Sequence, residues 1–318
     1  MRIIFFGSDI FGLPSLETLK RSFELVAVVS SVDKPKGRGL KISPNPIKEW
    51  AILNNITIFQ PEKFDDNFIN IISSLSPDLI VLISYGKILP SLILNIPKIA
   101  SINVHPSLLP KYRGPAPIEW ALINGETKTG ITIIKMDEKI DTGKIIIQKE
   151  IEILPSDDAF TLKNKLSQLA KDILIEGIET FIKYRKTYPQ IGHVSYARKL
   201  KKKDGLIKWE NSAEKIHNLV RGVIIWPTAY TYLSINSTKK LIKIYKTEIG
   251  NKEGKFAKAG EIIKIEKDYI EVACGNGTIK IKELQIEGKK RMTVSQFLCG
   301  YRNKIKIPFF LSPFYKLI

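Results

Sequence analysis

An apolar run of this chain ends in two side chains that can act on a carbonyl group. In the sequence SINVHPSLLP, Ser101–Pro110, Asn103 and His105 are two residues apart. On an extended strand both side chains therefore point to the same face. An amide N–H beside a titratable ring suits a carbonyl oxygen that gains negative charge during a reaction. The pair favours an acyl-transfer site that has no covalent nucleophile.

Asp141, in the sequence KIDTG, is the carboxylate that could orient this ring and favour its protonated form. Asp-Thr-Gly is also an ordinary turn sequence, so a purely structural role for Asp141 stays open at this point. Asn103 or His105 alone would also more often be structural. The prediction of a catalytic site rests on the pair at the end of an apolar run.

Strand and helix patterns alternate over residues 1–190. Buried strands are predicted at Arg2–Phe6, Leu25–Ser30, Asp78–Ser84 and Ile99–Val104, and a helix at Pro14–Lys20. This alternation predicts a Rossmann-like α/β domain, with a parallel sheet and helices on both faces. Ligands of such sheets bind beyond the carboxyl ends of the strands, where Asn103 and His105 would lie.

The next segments complete the predicted α/β domain. A pair of strands is predicted at Gly130–Met136 and Lys144–Ile151, with Asp141 in the connection between them. Asp157 or Asp158 is the predicted cap of a long amphipathic helix that ends near Tyr184.

The pattern changes near residue 190. Tyr188–Gly205 is polar and basic and reads as a linker, which is assigned to residues 191–205. Five short strands between Thr228 and Leu284, followed by a helix at Thr293–Tyr301, then predict a small OB-like β-barrel. The expected domains are an α/β domain over 1–190, the linker, and a C-terminal OB-like domain over 206–318.

The positive charge is concentrated in the C-terminal part of the chain. The formal net charge is +18, yet residues 1–190 hold 24 Lys and Arg against 21 Asp and Glu, whereas residues 191–318 hold 26 against 11. Such asymmetry is typical of a surface that binds a polyanion, and it predicts a nucleic-acid partner. A codon bias that enriches lysine is the competing explanation.

Two basic segments are candidate phosphate contacts. The Gly- and Pro-rich loop Asp33–Ile42 follows a predicted parallel strand, which places Lys34, Lys36, Arg38 and Lys41 near the carboxyl edge of the sheet. The second segment lies in the linker and contains Lys199, Lys201, Lys202 and Lys203. A solvated surface role remains the alternative for both.

The sequence argues against a metal, a membrane anchor and an exported protein. The three histidines and two cysteines do not occur at ligand spacing, so no metal site is expected. The longest apolar runs, such as Leu79–Ile83, fall short of the roughly 20 residues that span a bilayer. The chain opens directly into strand-like sequence, so we expect a cytoplasmic protein.

Taken together, these segments resemble the methionyl-tRNA formyltransferases over nearly the whole chain. The opening Ile3–Leu16 is similar to the first strand, turn and helix of that family, and Asp33–Lys41 is similar to its tRNA-probing loop. The core of the family is matched in order and spacing by Asn103-Val-His105, Ser107–Pro110, Tyr112-Arg-Gly114, Ala116-Pro-Ile118, and Met136 with Asp141-Thr-Gly143.

The resemblance implies a reaction and the residues that carry it. The formyl donor would be 10-formyltetrahydrofolate, and the acceptor the α-amino group of methionine on initiator tRNA. Asn103, His105 and Asp141 would be catalytic, and Arg38 would meet the acceptor stem. The folate would contact Ser107, Leu108, Leu109 and Pro110. No metal and no obligate protein partner is implied.

Other functions fit parts of the same pattern. A folate-dependent formyltransferase could act instead on an amino-sugar nucleotide or another small amine, although the basic C-terminal part speaks against that. A formyl-folate hydrolase would use water as the acceptor and release formate. A non-catalytic RNA-binding protein on the same scaffold is the alternative from a different class.

Overall fold

The N-terminal part of the chain is built around a β-sheet. A computed structural model of the protein describes residues 1–36, 41–235, 238–302 and 309–312. The strands up to residue 152 are β1 (Arg2–Gly7), β2 (Glu24–Val29), β3 (Lys34–Lys36), β4 (Lys41–Ser43), β5 (Ile58–Phe59), β6 (Leu79–Ile83), β7 (Ala100–His105), β8 (Lys128–Lys135) and β9 (Lys144–Glu152).

Among the described residues, seven of these strands form one sheet in the order β5-β2-β1-β6-β7-β8-β9. Strands β5, β2, β1, β6 and β7 run parallel, whereas β8 is antiparallel to β7 and β9 is antiparallel to β8. The prediction of a mainly parallel α/β sheet is confirmed. The predicted strand pair extends this sheet in the antiparallel sense, and the short connection of residues 136–143 reverses the chain direction between β8 and β9.

Helices follow most strands of this sheet, at α1 (Leu13–Ser22), α2 (Pro46–Leu53), α3 (Asp66–Ser74), α4 (Ser91–Leu94), α5 (Pro117–Ile123) and α6 (Ala159–Tyr184). The predicted long helix is α6, and Asp158 caps it by accepting hydrogen bonds from the N–H groups of Phe160 and Thr161. Helices α2 and α3 were not predicted, although each begins after a capping Asn45 or Asp65.

The sheet is buried on both faces. In β1, Ile3 and Phe5 alternate with Ile4 and Phe6, and all four side chains are fully buried. Ile4 and Phe6 share a core cluster with residues of β2, β6, α3 and α4. A strand that is apolar on both faces must lie inside the sheet, which leaves the strand ends as the places where polar side chains reach solvent.

In its described residues, the C-terminal part is a second, antiparallel sheet with two helices. Its strands are β10 (Ala229–Ile235), β11 (Thr238–Ile249), β12 (Glu261–Ile265), β13 (Ile270–Ala273), β14 (Thr278–Ile286), β15 (Met292–Thr293) and β16 (Phe309–Ser312), and its helices are α7 (Ala213–Gly222) and α8 (Val294–Tyr301). The strand order is β11-β10-β16-β12-β13-β14-β15, and β11 also pairs with β14. The predicted antiparallel C-terminal domain is confirmed, whereas its OB-like barrel form stays a prediction.

Contacts between residues divide the described chain into two compact units. The first comprises residues 1–117, 128–153 and 162–198, and the second comprises 118–127, 154–161 and 199–318. The domain boundaries predicted at residues 190 and 205 stay a prediction.

The second unit depends on one buried tryptophan. Trp209 is 1% exposed, and its indole N–H donates a hydrogen bond of 3.0 Å to the Thr231 hydroxyl. We expect Trp209→Ala to lower the free energy of unfolding by about 3–5 kcal/mol, because truncation leaves a large cavity. Urea unfolding followed by circular dichroism measures this. Trp226→Ala is the control, since Trp226 is 51% exposed; equal losses in the two variants would contradict the prediction.

Candidate active site

The candidate site lies at the carboxyl end of β7. Asn103 and His105 occupy the last part of this strand, next to β6 on one side and β8 on the other. Their side chains point to one face, as predicted from their spacing. Both residues are buried, with exposures of 8% for Asn103 and 4% for His105. Buried polar side chains of this kind require partners, and the loop between β8 and β9 supplies them.

Asp141 approaches both side chains from that loop. Its carboxylate accepts a hydrogen bond from the Asn103 amide at 3.1 Å (Nδ2 to Oδ1) and another from the backbone N–H of Gly114 at 2.8 Å. The same carboxylate lies 3.6 Å from Nδ1 of His105. Asp141 has a φ of +54°, a left-handed conformation that few non-glycine residues adopt. The structure thus brings Asn103, His105 and Asp141 together.

The two ring nitrogens of His105 face different partners. Nε2 lies 2.9 Å from the backbone carbonyl oxygen of Tyr112. A carbonyl oxygen only accepts hydrogen bonds, so Nε2 carries a proton here. In the neutral ring Nδ1 would then direct a lone pair toward Asp141, whereas in the imidazolium it presents an N–H. A hydrogen bond from Nδ1 to the Asp141 carboxylate would therefore require the imidazolium.

A cavity of about 320 Å³ opens beside these three side chains. Ser84–Leu89, the segment after β6, forms one wall. Pro106 and Gly114 line it near His105, and Met136–Ile140 forms the wall next to Asp141. The hydroxyl of Ser91 donates a 2.7 Å hydrogen bond to Glu138 and so ties α4 to the second wall. The cavity size and its mixed polar and apolar lining are typical of small-molecule sites.

Sequence reasoning missed the segment Ser84–Leu89. A usable signal existed, because this segment follows the predicted strand Asp78–Ser84 and so begins at the same sheet edge as Asn103. Ser84 and Gly86 have φ values of +52° and +82°, which bend the chain sharply as it leaves β6. The bend keeps the segment at the sheet edge, where it lines the cavity.

The loop predicted to contact folate is packed into the protein. Ser107 is fully buried and its hydroxyl donates to the carbonyl oxygen of Lys111, while Leu109 and Pro110 are also buried. Leu108 is half-buried. The cavity lining includes Pro106 but not Ser107, Leu108, Leu109 or Pro110. Their role toward folate stays a prediction.

A second segment missed by sequence reasoning lies at residues 188–197, in what reads as the start of a linker. Tyr188 pairs with Ile145 through two backbone hydrogen bonds of 2.7 and 2.8 Å. Further along, the Ser195 carbonyl oxygen accepts from Arg113 N and the Ser195 hydroxyl accepts from Tyr112 N, both at 2.9 Å. These contacts could not be predicted from the polar composition of the segment, because they depend on where the fold places residues 112, 113 and 145.

The predicted phosphate contacts are described only in part. Lys34 is exposed, and the backbones of β3 and β4 pair around the basic loop. Arg38 lies outside the described residues, and only the backbone is described for Lys36 and Lys41. Lys199, Lys201, Lys202 and Lys203 are all exposed in the second unit.

Two features are absent from the described part of the chain. In residues 1–36, 41–235, 238–302 and 309–312, no helix is long and apolar enough to span a membrane. Within the same ranges, no three His, Cys, Asp or Glu side chains form a group that could hold a metal ion.

Comparison with known proteins defines the class. Residues 1–178 match the model of the formyl transferase family, and residues 199–302 match that of the formyl transferase C-terminal domain. Methionyl-tRNA formyltransferase of Thermodesulfovibrio yellowstonii is 48% identical over 94% of this chain and 95% of its own length. The enzyme of the same name from Acetivibrio thermocellus is 44% identical over 95% and 97%. The chain belongs to the methionyl-tRNA formyltransferase family and is therefore a one-carbon transferase.

Solved structures share the fold at lower identity. HypX from Aquifex aeolicus, in complex with tetrahydrofolic acid, has a TM-score of 0.63 at 16% identity, covering 99% of this chain and 51% of HypX. An N-formyltransferase from Helicobacter canadensis, in complex with folinic acid and dTDP-3-aminofucose, has a TM-score of 0.65 at 22% identity, covering 88% and 98%. At these identities the likeness concerns the fold.

Proposed function

We propose that this protein transfers the formyl group of 10-formyltetrahydrofolate to the α-amino group of methionine esterified to initiator tRNA. The observation that supports this best is the contact set of Asp141, whose carboxylate lies 3.1 Å from the Asn103 amide and 3.6 Å from the His105 ring. Acyl transfer needs such a combination of a fixed donor, a titratable ring and a carboxylate.

The donor substrate fits the cavity beside these residues. A flat heterocycle would lie between Ser84–Leu89 and Met136–Ile140, where backbone polar groups accompany apolar side chains such as Ile88 and Met136. The formyl group would then project toward Asn103 and His105. Ser107–Pro110 would support this pose from behind the lining residue Pro106.

In the reaction, the neutral α-amine attacks the formyl carbon and a C–N bond forms. An α-amino group titrates near pH ~8, so part of it is neutral at physiological pH. The formyl oxygen becomes an oxyanion, which accepts hydrogen bonds from the Asn103 amide and from Nδ1–H of His105. The bond between the formyl carbon and N10 then breaks and tetrahydrofolate leaves.

Asp141 has two tasks in this scheme. Its charge stabilises the imidazolium of His105 and its Oδ1 holds the amide of Asn103 by a hydrogen bond. It also accepts the proton released by the amine, directly or through a water molecule. N10 of the leaving folate takes up one proton, so the transfer is balanced. Asp141 is suited to the first task because its carboxylate oxygens already accept hydrogen bonds from Asn103 and Gly114.

A direct assay distinguishes this function from its alternatives. We expect formyl transfer from 10-formyltetrahydrofolate to methionyl-initiator tRNA, measured with radiolabelled methionine. Transfer to amino-sugar nucleotides or small amines should be negligible, and formate should not be released without an acceptor. Preferred transfer to a small amine, or formate release without tRNA, would contradict the proposal.

The tRNA would be bound mainly through its phosphates. The proposed contacts are Lys34, Lys36, Arg38 and Lys41 in the basic loop and Lys199, Lys201, Lys202 and Lys203 at the start of the second unit. The excess positive charge of residues 191–318 supports this assignment. We also keep the division into a catalytic domain over 1–190, a linker over 191–205 and an OB-like tRNA-binding domain over 206–318 as part of the proposal, with the cytoplasm as the location.

Salt titration tests the lysines. We expect the tRNA association constant to fall steeply with salt, and the triple variant K201A/K202A/K203A to flatten the log–log slope by roughly 0.7–0.9 per lost phosphate contact. Filter binding over a range of KCl concentrations measures both. The matched control K171A/K183A/K186A removes three exposed lysines of the first unit. An equal change in the control would contradict the assignment.

A further inference from the structure

The side-chain amide of Gln190 joins two loops of the candidate site. Its Nε2 donates hydrogen bonds of 2.8 Å to the carbonyl oxygens of both Asp141 and Gly143. Its Oε1 accepts from Nε and Nη2 of Arg113, at 3.2 and 2.7 Å. Both N–H groups of the amide are therefore used, and its oxygen accepts two bonds. A flipped amide would direct N–H groups at the guanidinium, so the arrangement has one orientation.

The turn Asp141–Gly143, which Gln190 holds, is also restricted by its own backbone conformation and packing. Asp141 has a φ of +54°, a left-handed conformation that L-residues rarely adopt unless their surroundings hold it. On the other side, Gly143 packs so closely on the backbone of Lys135 that an added Cβ would lie 1.9 Å from its carbonyl oxygen. The two bonds from Gln190 close the turn between these constraints.

The segment that carries Gln190 also fixes the opposite partner of the His105 ring. Tyr188, two residues earlier, is anchored by its backbone pairing with Ile145. Ser195, five residues later, binds the backbone of Tyr112, whose carbonyl oxygen accepts from His105. Arg113, bound by Gln190, precedes Gly114, which donates to the Asp141 carboxylate. Both groups that face the ring are thus held from one segment.

We propose that Gln190 is a positioning residue for formyl transfer, whose amide holds Asp141 in place against Asn103 and His105. This inference rests on the proposed function. Gln190 does not line the cavity formed by the described residues, so it acts through Asp141 rather than by contact with the folate donor. Its loss should therefore lower kcat with little change in KM for the folate donor.

The first test is a pair of variants at this position. We expect Q190A to lower kcat by roughly 10- to 100-fold, because a misplacement of about 1 Å at a catalytic group can have that effect. Q190E keeps the acceptor for Arg113 and the side-chain length, but its carboxylate cannot donate to Asp141 or Gly143, so we expect a similar loss. Wild-type kcat in Q190E would show that only the Arg113 contact matters and would overturn the proposal.

A double-mutant cycle separates positioning from general support of the fold. In a D141N background, Q190A should change the single-turnover rate by less than about threefold, because the group it positions is already impaired. If Q190A lowered the rate in the D141N background by as large a factor as in the wild-type protein, the proposal would be overturned. N54A is the matched control, since the Asn54 amide also donates to a backbone carbonyl, that of Trp50, and accepts from a cation, Lys20, in the same unit but away from the cavity; it should keep wild-type kcat.

The outcomes also distinguish the role of Gln190 from the proposed catalytic role of Asp141. Wild-type turnover in D141N would contradict the catalytic assignment itself. Impaired turnover in D141N together with wild-type kcat in Q190A would contradict only the role of Gln190. If Q190A proves unfolded at the assay temperature by circular dichroism, Q190E alone decides, since it preserves size and the Arg113 contact.

Discussion

His105→Ala should lower kcat by about 100- to 1000-fold, with little change in KM for the folate donor. Losing one oxyanion donor has an effect of that order. KM should stay because the cavity walls are formed mainly by Ser84–Leu89 and Met136–Ile140, which the substitution does not touch. Steady-state kinetics of formyl transfer to methionyl-tRNA measure both parameters.

Two further substitutions test which ring nitrogen acts. Asparagine places an N–H near the position of Nδ1, whereas glutamine places one near Nε2, which donates to Tyr112 in the native protein. We expect His105→Asn to exceed His105→Gln in kcat by about tenfold, a difference of roughly 1.4 kcal/mol in barrier height. The reverse order would assign the reaction to Nε2. His193→Ala, at an exposed histidine of the same unit, should keep wild-type turnover.

Asp141→Asn should have the largest effect of any single substitution, a fall in kcat on the order of 1000- to 10,000-fold. Both oxygens of the native carboxylate accept hydrogen bonds, from Asn103 on one side and Gly114 on the other. An amide would have to turn its NH₂ group toward one of these donors. It would also lose the negative charge that faces Nδ1 of His105 from 3.6 Å.

Asp65→Asn is the matched control for the charge change. Asp65 caps α3 by accepting from the N–H of Phe68, and asparagine serves equally well as an N-cap. Its kcat and unfolding midpoint should stay close to wild type. Retention of a tenth or more of wild-type turnover by Asp141→Asn would remove Asp141 from the mechanism and leave it as the turn residue that its local sequence also allows.

The type of fold followed from patterns that are local in sequence. Four apolar segments alternated with helix patterns, and they became β1, β2, β6 and β7 of one mainly parallel sheet. The period of side chains along a strand is enough to place Asn103 and His105 on one face. These features are predictable because burial and strand periodicity depend on neighbours in the chain.

Other features depended on contacts between distant segments. The 2.7–2.9 Å backbone contacts that Tyr188 makes with Ile145 and Ser195 with Arg113 join parts of the chain that composition alone assigns to a linker and to loops. Helices α2 and α3 went unpredicted for a different reason, because their apolar faces are short and their caps resemble turn residues. The antiparallel direction of β8 also depends on a distant contact, its pairing with β7.

The sequence by itself therefore determined the class of fold, the uneven charge and the identity of the polar side chains at the end of β7. Only the tertiary structure decided that Asp141 faces His105 from 3.6 Å, that Tyr112 holds the other ring nitrogen, and that Gln190 ties the two loops together. The physical reason is the distance along the chain over which each interaction acts. Propensity and periodicity act over a few residues, whereas a hydrogen bond between loops depends on how the whole sheet brings their ends together.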